Sequence, residues 1–306
     1  MPIQTFELML PHGITLSCRA SGMPGQPLLV FLHGFPEAAF VWDDLLEHFG
    51  ARFHCIAPNL RGYAGSSAPD EVEAYRAKHV AGDVAALIGQ FGGRAAAVIA
   101  HDWGGALAWN LAAQQPALME RLVIVNSPHP ATFLRELRES PAQQAASAYM
   151  NFLCRPDAEA LLAENDFARL WPFFTHLGTA DAARPGAAWL TDTVKQRYRE
   201  VWQRGLRGAC NYYRASPVRP PLGSDDPVMR LQLPPELVTS RVPACVIWAE
   251  ADAALPPTLL DGLGAFVPEL RLVRVPQATH WIVHEQPALI IRELERELDA
   301  HLKVGR

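Results

Sequence analysis

The chain has 306 residues, of which 49% are hydrophobic and 19% charged, with a formal net charge of −5. That is an ordinary globular composition, sized for one large domain or for one domain carrying an inserted lobe. The mild acidic balance argues against nucleic acid or an anionic membrane as partner, and the lack of any run of about 18 apolar residues argues against a membrane span.

Met1 to Glu7 carries neither the basic segment nor the apolar segment of a secretory signal, so the cytoplasm is the expected compartment. Phe6 to Leu10 and Ile14 to Arg19 read as strands joined by the turn Pro11-His12-Gly13. Pro27 to Leu32, Phe53 to Ala57, Ala95 to Ala100 and Arg121 to Val125 are short continuous apolar runs, the mark of strands buried on both faces. Helical stretches lie between them at Phe40 to His48, Val72 to Phe91 and Gly104 to Gln115. This alternation predicts a parallel sheet with crossover helices. From Pro130 to Leu237 no strong strand is found, and the segment reads as several short helices. The rhythm returns with a strand at Val242 to Ala249, a helix at Pro257 to Phe266, a strand at Leu270 to Val275 and a closing amphipathic helix at Pro287 to Leu302. The expected organisation is a core over residues 1–130 and 238–306, interrupted by a helical cap over 131–237. The five cysteines, at 18, 55, 154, 210 and 245, show no metal-binding spacing and are expected to be reduced thiols.

Val98 to Gly105 carries the most information. A buried strand ends and a helix begins within two residues, with small side chains at Ala100, Gly104 and Gly105. A turn this sharp lifts its central residue above the sheet edge, and here that residue is Asp102. The carboxylate decides the chemistry. Attack on an sp³ carbon by serine would give an ether that water does not readily cleave, whereas a carboxylate gives a hydrolysable ester. Asp102 therefore points to displacement at an alkyl carbon, by epoxide opening or halide removal. The alternative for Asp102 is a helix N-cap.

With His33-Gly34-Phe35-Pro36 following a buried strand, the sequence resembles the α/β-hydrolase superfamily and, within it, the soluble epoxide hydrolases. Asn59 to Ser67 also fits, with departures at Asn59 and Ala64, where Asp and Gly are usual. The resemblance implies an α/β-hydrolase fold with a helical cap, a cis Phe35-Pro36 bond, and an oxyanion hole formed by the N–H groups of Phe35 and Trp103. It assigns the general base to His280 in Thr279-His280-Trp281, with His284 as local rival, and the orienting acid to Asp252, with Glu250 as alternative. It assigns the donors to the epoxide oxygen to Tyr149 and Tyr213, with Tyr212 and Tyr198 as competitors for the second. His33, His101 and His129 are read as structural or pocket-lining. Pro36, His129, Phe152 and Trp281 are expected to border the substrate.

The implied activity is conversion of a small apolar epoxide and water to a vicinal diol, without metal or other cofactor, by a monomer or homodimer. A haloalkane or haloacid dehalogenase would share Asp102, His280 and Asp252. A departing halide needs N–H donors rather than phenols, however, and Phe35 stands where haloalkane dehalogenases often carry Asn. A non-catalytic binding protein of the same fold would have no need for all three residues.

Overall fold

A computed structural model describes residues 1–175 and 188–304; residues 176–187 of the expected cap lie outside the described residues. Eight strands form one sheet: β1 (Gln4–Met9), β2 (Thr15–Ser21), β3 (Leu28–Leu32), β4 (His54–Pro58), β5 (Ala97–His101), β6 (Leu122–Val125), β7 (Ala244–Ala249) and β8 (Leu270–Val275). Their order is β1-β2-β4-β3-β5-β6-β7-β8. β2 runs antiparallel to β1 and β4, and every other pairing is parallel. Strands β3 to β7 are buried at every residue, which is why they read as unbroken apolar runs. At the sheet edge, β1 is largely exposed.

Helices α1 (Asp43–Phe49), α2 (Ala77–Gln90) and α3 (Trp103–Gln114) cross between the early strands. Among the described residues, eight more separate β6 from β7: α4 (Pro130–Glu139), α5 (Pro141–Ala146), α6 (Tyr149–Leu153), α7 (Ala158–Phe167), α8 (Trp171–Thr175), α9 (Asp192–Trp202), α10 (Arg207–Ala215) and α11 (Pro235–Val238). α12 (Ile282–Glu285) and α13 (Pro287–Val304) close the chain, with α2 packed on α3 and α1 on α13. No described helix is long and apolar enough to cross a membrane.

Two expected helices are broken. The stretch from Val72 to Phe91 is a 3₁₀ turn, Val72–Tyr75, followed by α2, because Arg76 between them takes an extended ψ of 139°. Pro257 to Phe266 is two 3₁₀ turns, Pro257–Leu260 and Leu263–Ala265, parted at Gly262, whose φ of 76° no right-handed helix accepts.

Because β3, β5, β6, β7 and β8 are parallel, the loops that follow them emerge at one edge of the sheet. His33, Asp102, Asn126, Asp252 and His280 all occupy those loops. The helical insertion leaves from the same edge, after β6.

Candidate active site

Asp102 sits between β5 and α3 with φ 48° and ψ −120°, a strained conformation for a residue with a Cβ. The surrounding small residues are required by contact. A Cβ on Gly34 would lie 2.3 Å from the Asp102 Cβ, one on Gly104 2.5 Å from the Leu32 carbonyl oxygen, and one on Gly105 2.2 Å from the Ser127 Cβ. The Ser127 hydroxyl donates to the Asp102 carbonyl at 2.6 Å and holds the turn.

The two oxygens of the Asp102 carboxylate have different surroundings. Oδ1 accepts a hydrogen bond from the Phe35 N–H at 2.7 Å. Oδ2 lies 3.8 Å from Nε2 of His280. The Phe35-Pro36 bond is cis. His33 anchors this loop: Nδ1 lies 2.9 Å from the Gly34 carbonyl, and Nε2 accepts from the Leu60 N–H at 3.0 Å. Burial pulls its pKa down to about 4, so the ring is neutral, as that pattern requires.

His280 Nδ1 is 2.6 Å from Asp252 Oδ2. Asp252 is itself tied down: its Oδ1 accepts from the N–H groups of Ala254 and Leu255, and its Oδ2 accepts from Asn126 Nδ2 at 2.8 Å. Asn126, at φ 40°, also accepts from the Ala249 N–H, which links the ends of β6 and β7. Burial alone would lower the His280 pKa. The Asp252 carboxylate, with Asp102 and Glu37, more than offsets it and raises the imidazole to about 9.

The rival residues are engaged elsewhere. Glu250 accepts from Arg274. His284 Nε2 lies 2.9 Å from Glu37 Oε1 and 3.0 Å from the Tyr198 hydroxyl. The Tyr212 hydroxyl donates to the Arg61 carbonyl. Tyr149 and Tyr213 instead face Asp102 across a cavity of about 300 Å³. Their rings stand edge to face 6.1 Å apart, and the Tyr213 ring also meets those of Phe35 and Trp103. Burial above all, with the Asp102 carboxylate acting in the same direction, holds both phenols well above the ordinary tyrosine pKa, so they keep their protons.

Pro36, His129, Phe152 and Trp281 do not line this cavity. His129 is 1% exposed, stacks on Phe266, and donates from Nε2 to the Val238 carbonyl, so its role is structural. Trp281 is equally enclosed and donates to the Phe173 carbonyl, while the Pro36 carbonyl accepts from Trp202. The sequence reading overlooked a buried group behind His280. Glu37 Oε2 lies 3.0 Å from His101 Nδ1, and the His101 Nε2 donates to the His280 carbonyl at 2.9 Å. Burial opposes ionisation of Glu37. Hydrogen bonds from His101 and His284 overcome it and hold the carboxyl well below its ordinary value.

The alpha/beta hydrolase fold family model matches residues 27–287, and the chain belongs to that family. It is 35% identical over 283 residues to the AB hydrolase superfamily protein YfhM of Bacillus subtilis, covering 91% of this chain and 92% of that one. Among solved structures it resembles an epoxide hydrolase from metagenomes of hot environments at 37% identity and a TM-score of 0.84, over 97% and 99% of the two chains. It also resembles the inhibitor-bound epoxide hydrolase of Bacillus megaterium at 28% identity and a TM-score of 0.86, over 96% and 100%. Over most of its length it is closely related to epoxide hydrolases.

Proposed function

We propose that the protein is an epoxide hydrolase working through an alkyl-enzyme ester on Asp102. The observation that carries this reading is the pairing, across one cavity, of a carboxylate on a strained turn with two protonated phenols.

In this reading Asp102 Oδ2 attacks one epoxide carbon, and the C–O bond of the ring breaks. The leaving oxygen takes a proton from Tyr149 or Tyr213 while the other phenol donates a hydrogen bond. His280 Nε2 then removes a proton from water, and the resulting hydroxide adds to the Asp102 carboxyl carbon. The charge develops on Oδ1, where the Phe35 N–H already points. The N–H of Trp103 is the second donor; at the first position of α3 it has no acceptor within the helix. Collapse of the intermediate expels the diol with Oδ2 and restores the carboxylate. The proton held by His280 returns to the tyrosinate, and Asp252 fixes the imidazole throughout.

The test is the variant His280→Gln, which should form the ester and fail to hydrolyse it. Incubated with epichlorohydrin, it should gain a chlorine-bearing adduct by intact mass, and that adduct should be absent when Asp102→Ala is added. A chlorine-free adduct would mean carbon–halogen displacement and a dehalogenase. No adduct with this or bulkier epoxides would refute covalent catalysis on Asp102.

A further inference from the structure

The cavity above Asp102 extends along one face of α3. Trp103, Ala106, Asn110 and Gln114, at spacings of three, four and four residues, all line it. At about 1.5 Å per residue, Asn110 stands about 10 Å from Trp103, and Gln114 about 16 Å. Gln114 is exposed and marks the mouth, whereas Asn110 is half-buried inside.

Most polar groups on the wall are already committed to the protein. The hydroxyls of Ser127, Tyr75, Tyr212 and Ser216 donate to the carbonyls of Asp102, Pro69, Arg61 and Val218. Away from the reactive end, the amides of Asn110 and Gln114 are the polar side chains with no hydrogen-bond partner among the described residues. Asn is a weaker helix former than Ala and here makes no bond to its own helix, so nothing local accounts for it. Away from His280, the wall has no Lys, Arg or His among the described residues, and Asp102 is its one carboxylate there. An ionised group on a substrate would be stranded there, while a neutral hydrogen-bonding group would find the Asn110 amide.

We infer that Asn110 is a specificity determinant, with Gln114 at the mouth, selecting uncharged, elongated epoxides that carry a hydroxyl, ether or amide about 10 Å from the oxirane ring. This rests on the epoxide hydrolase reading and names the substrate class of that site.

The test compares kcat/KM for 9,10-epoxydecan-1-ol, whose hydroxyl reaches Asn110, with that for 1,2-epoxydecane, which lacks it. Asn110→Leu should lower the ratio of the two about tenfold, the worth of one hydrogen bond. Asn110→Ala, which suits the helix and leaves no partner unsatisfied, should move the ratio the same way if the leucine is poorly accommodated. A ratio that stays within twofold of the unmodified enzyme in both variants overturns the assignment. 1,2-Epoxybutane, too short to reach Asn110, separates the two failures. Its turnover alongside an unmoved ratio rejects Asn110 alone. If the unmodified enzyme turns over none of the three epoxides, epoxide hydrolysis is rejected and the assignment falls with it.

Discussion

Asp102 and His280 face each other with 3.8 Å between Oδ2 and Nε2, and the carboxylate favours a proton on the imidazole. With Asp102 ionised, the imidazole is held up at about 9, too high for an efficient base near neutrality. Converting Asp102 to a neutral ester removes one of the anions that hold the proton, so under the proposed mechanism His280 becomes a better base after the first step. Replacing Asp102 by Ala should accordingly lower the His280 pKa from about 9, as read by an NMR titration of the ring; an unmoved value would show that Asp252 and Glu37 set it alone. Asp102 could be singled out in the sequence because its signal is local: a strand end, small neighbours and a helix start. Asn126, Glu37 and His101 could not be read the same way. Their roles depend on partners 126, 64 and 179 residues away, brought together only by the strand order.

At the level of elements, cap and core meet at a point where two backbones touch. A Cβ on Gly208, in the first turn of α10, would lie 2.4 Å from the Cα of Gly62 in the loop after β4. That helix carries Tyr213 and Tyr212, so the contact fixes how far the phenols stand from the sheet edge. Gly208→Ala must push α10 outward. The expected result is a loss of roughly 1–3 kcal/mol by denaturant unfolding and a fall in kcat approaching about 10²-fold through displacement of Tyr213. Unchanged kcat in a folded variant would remove the contact from the argument. Strands β3 to β7 were legible because a doubly buried strand is a compact apolar word, and β1 and β2 because a turn signal joins them. The broken helices were not, since Pro257 to Phe266 has helical composition and is divided only by an extended Asp261 and the left-handed Gly262.

Across the whole molecule, buried ionisable groups separate the pH of greatest stability from that of greatest activity. The His280 pKa is raised on folding, so its contribution is complete below the unfolded value of 6.5 and is lost as pH rises through about 9. The Glu37 pKa is lowered, so its contribution is present above the unfolded value of 4.5 and is lost as pH falls below it. The two act together between 4.5 and 6.5, whereas the proposed ester hydrolysis needs His280 without its proton. A thermal scan across pH should show Tm declining from 6.5 towards 9, and the decline should be blunted in His280→Gln; equal slopes in both proteins would assign it to other groups.

The Phe35 N–H reserves one oxygen of Asp102 and leaves the other to react. Under the proposed mechanism the reacting oxygen departs in the diol, and solvent supplies its replacement. In isotopically heavy water the enzyme would thus gain mass in its first turnover, while the first product would not.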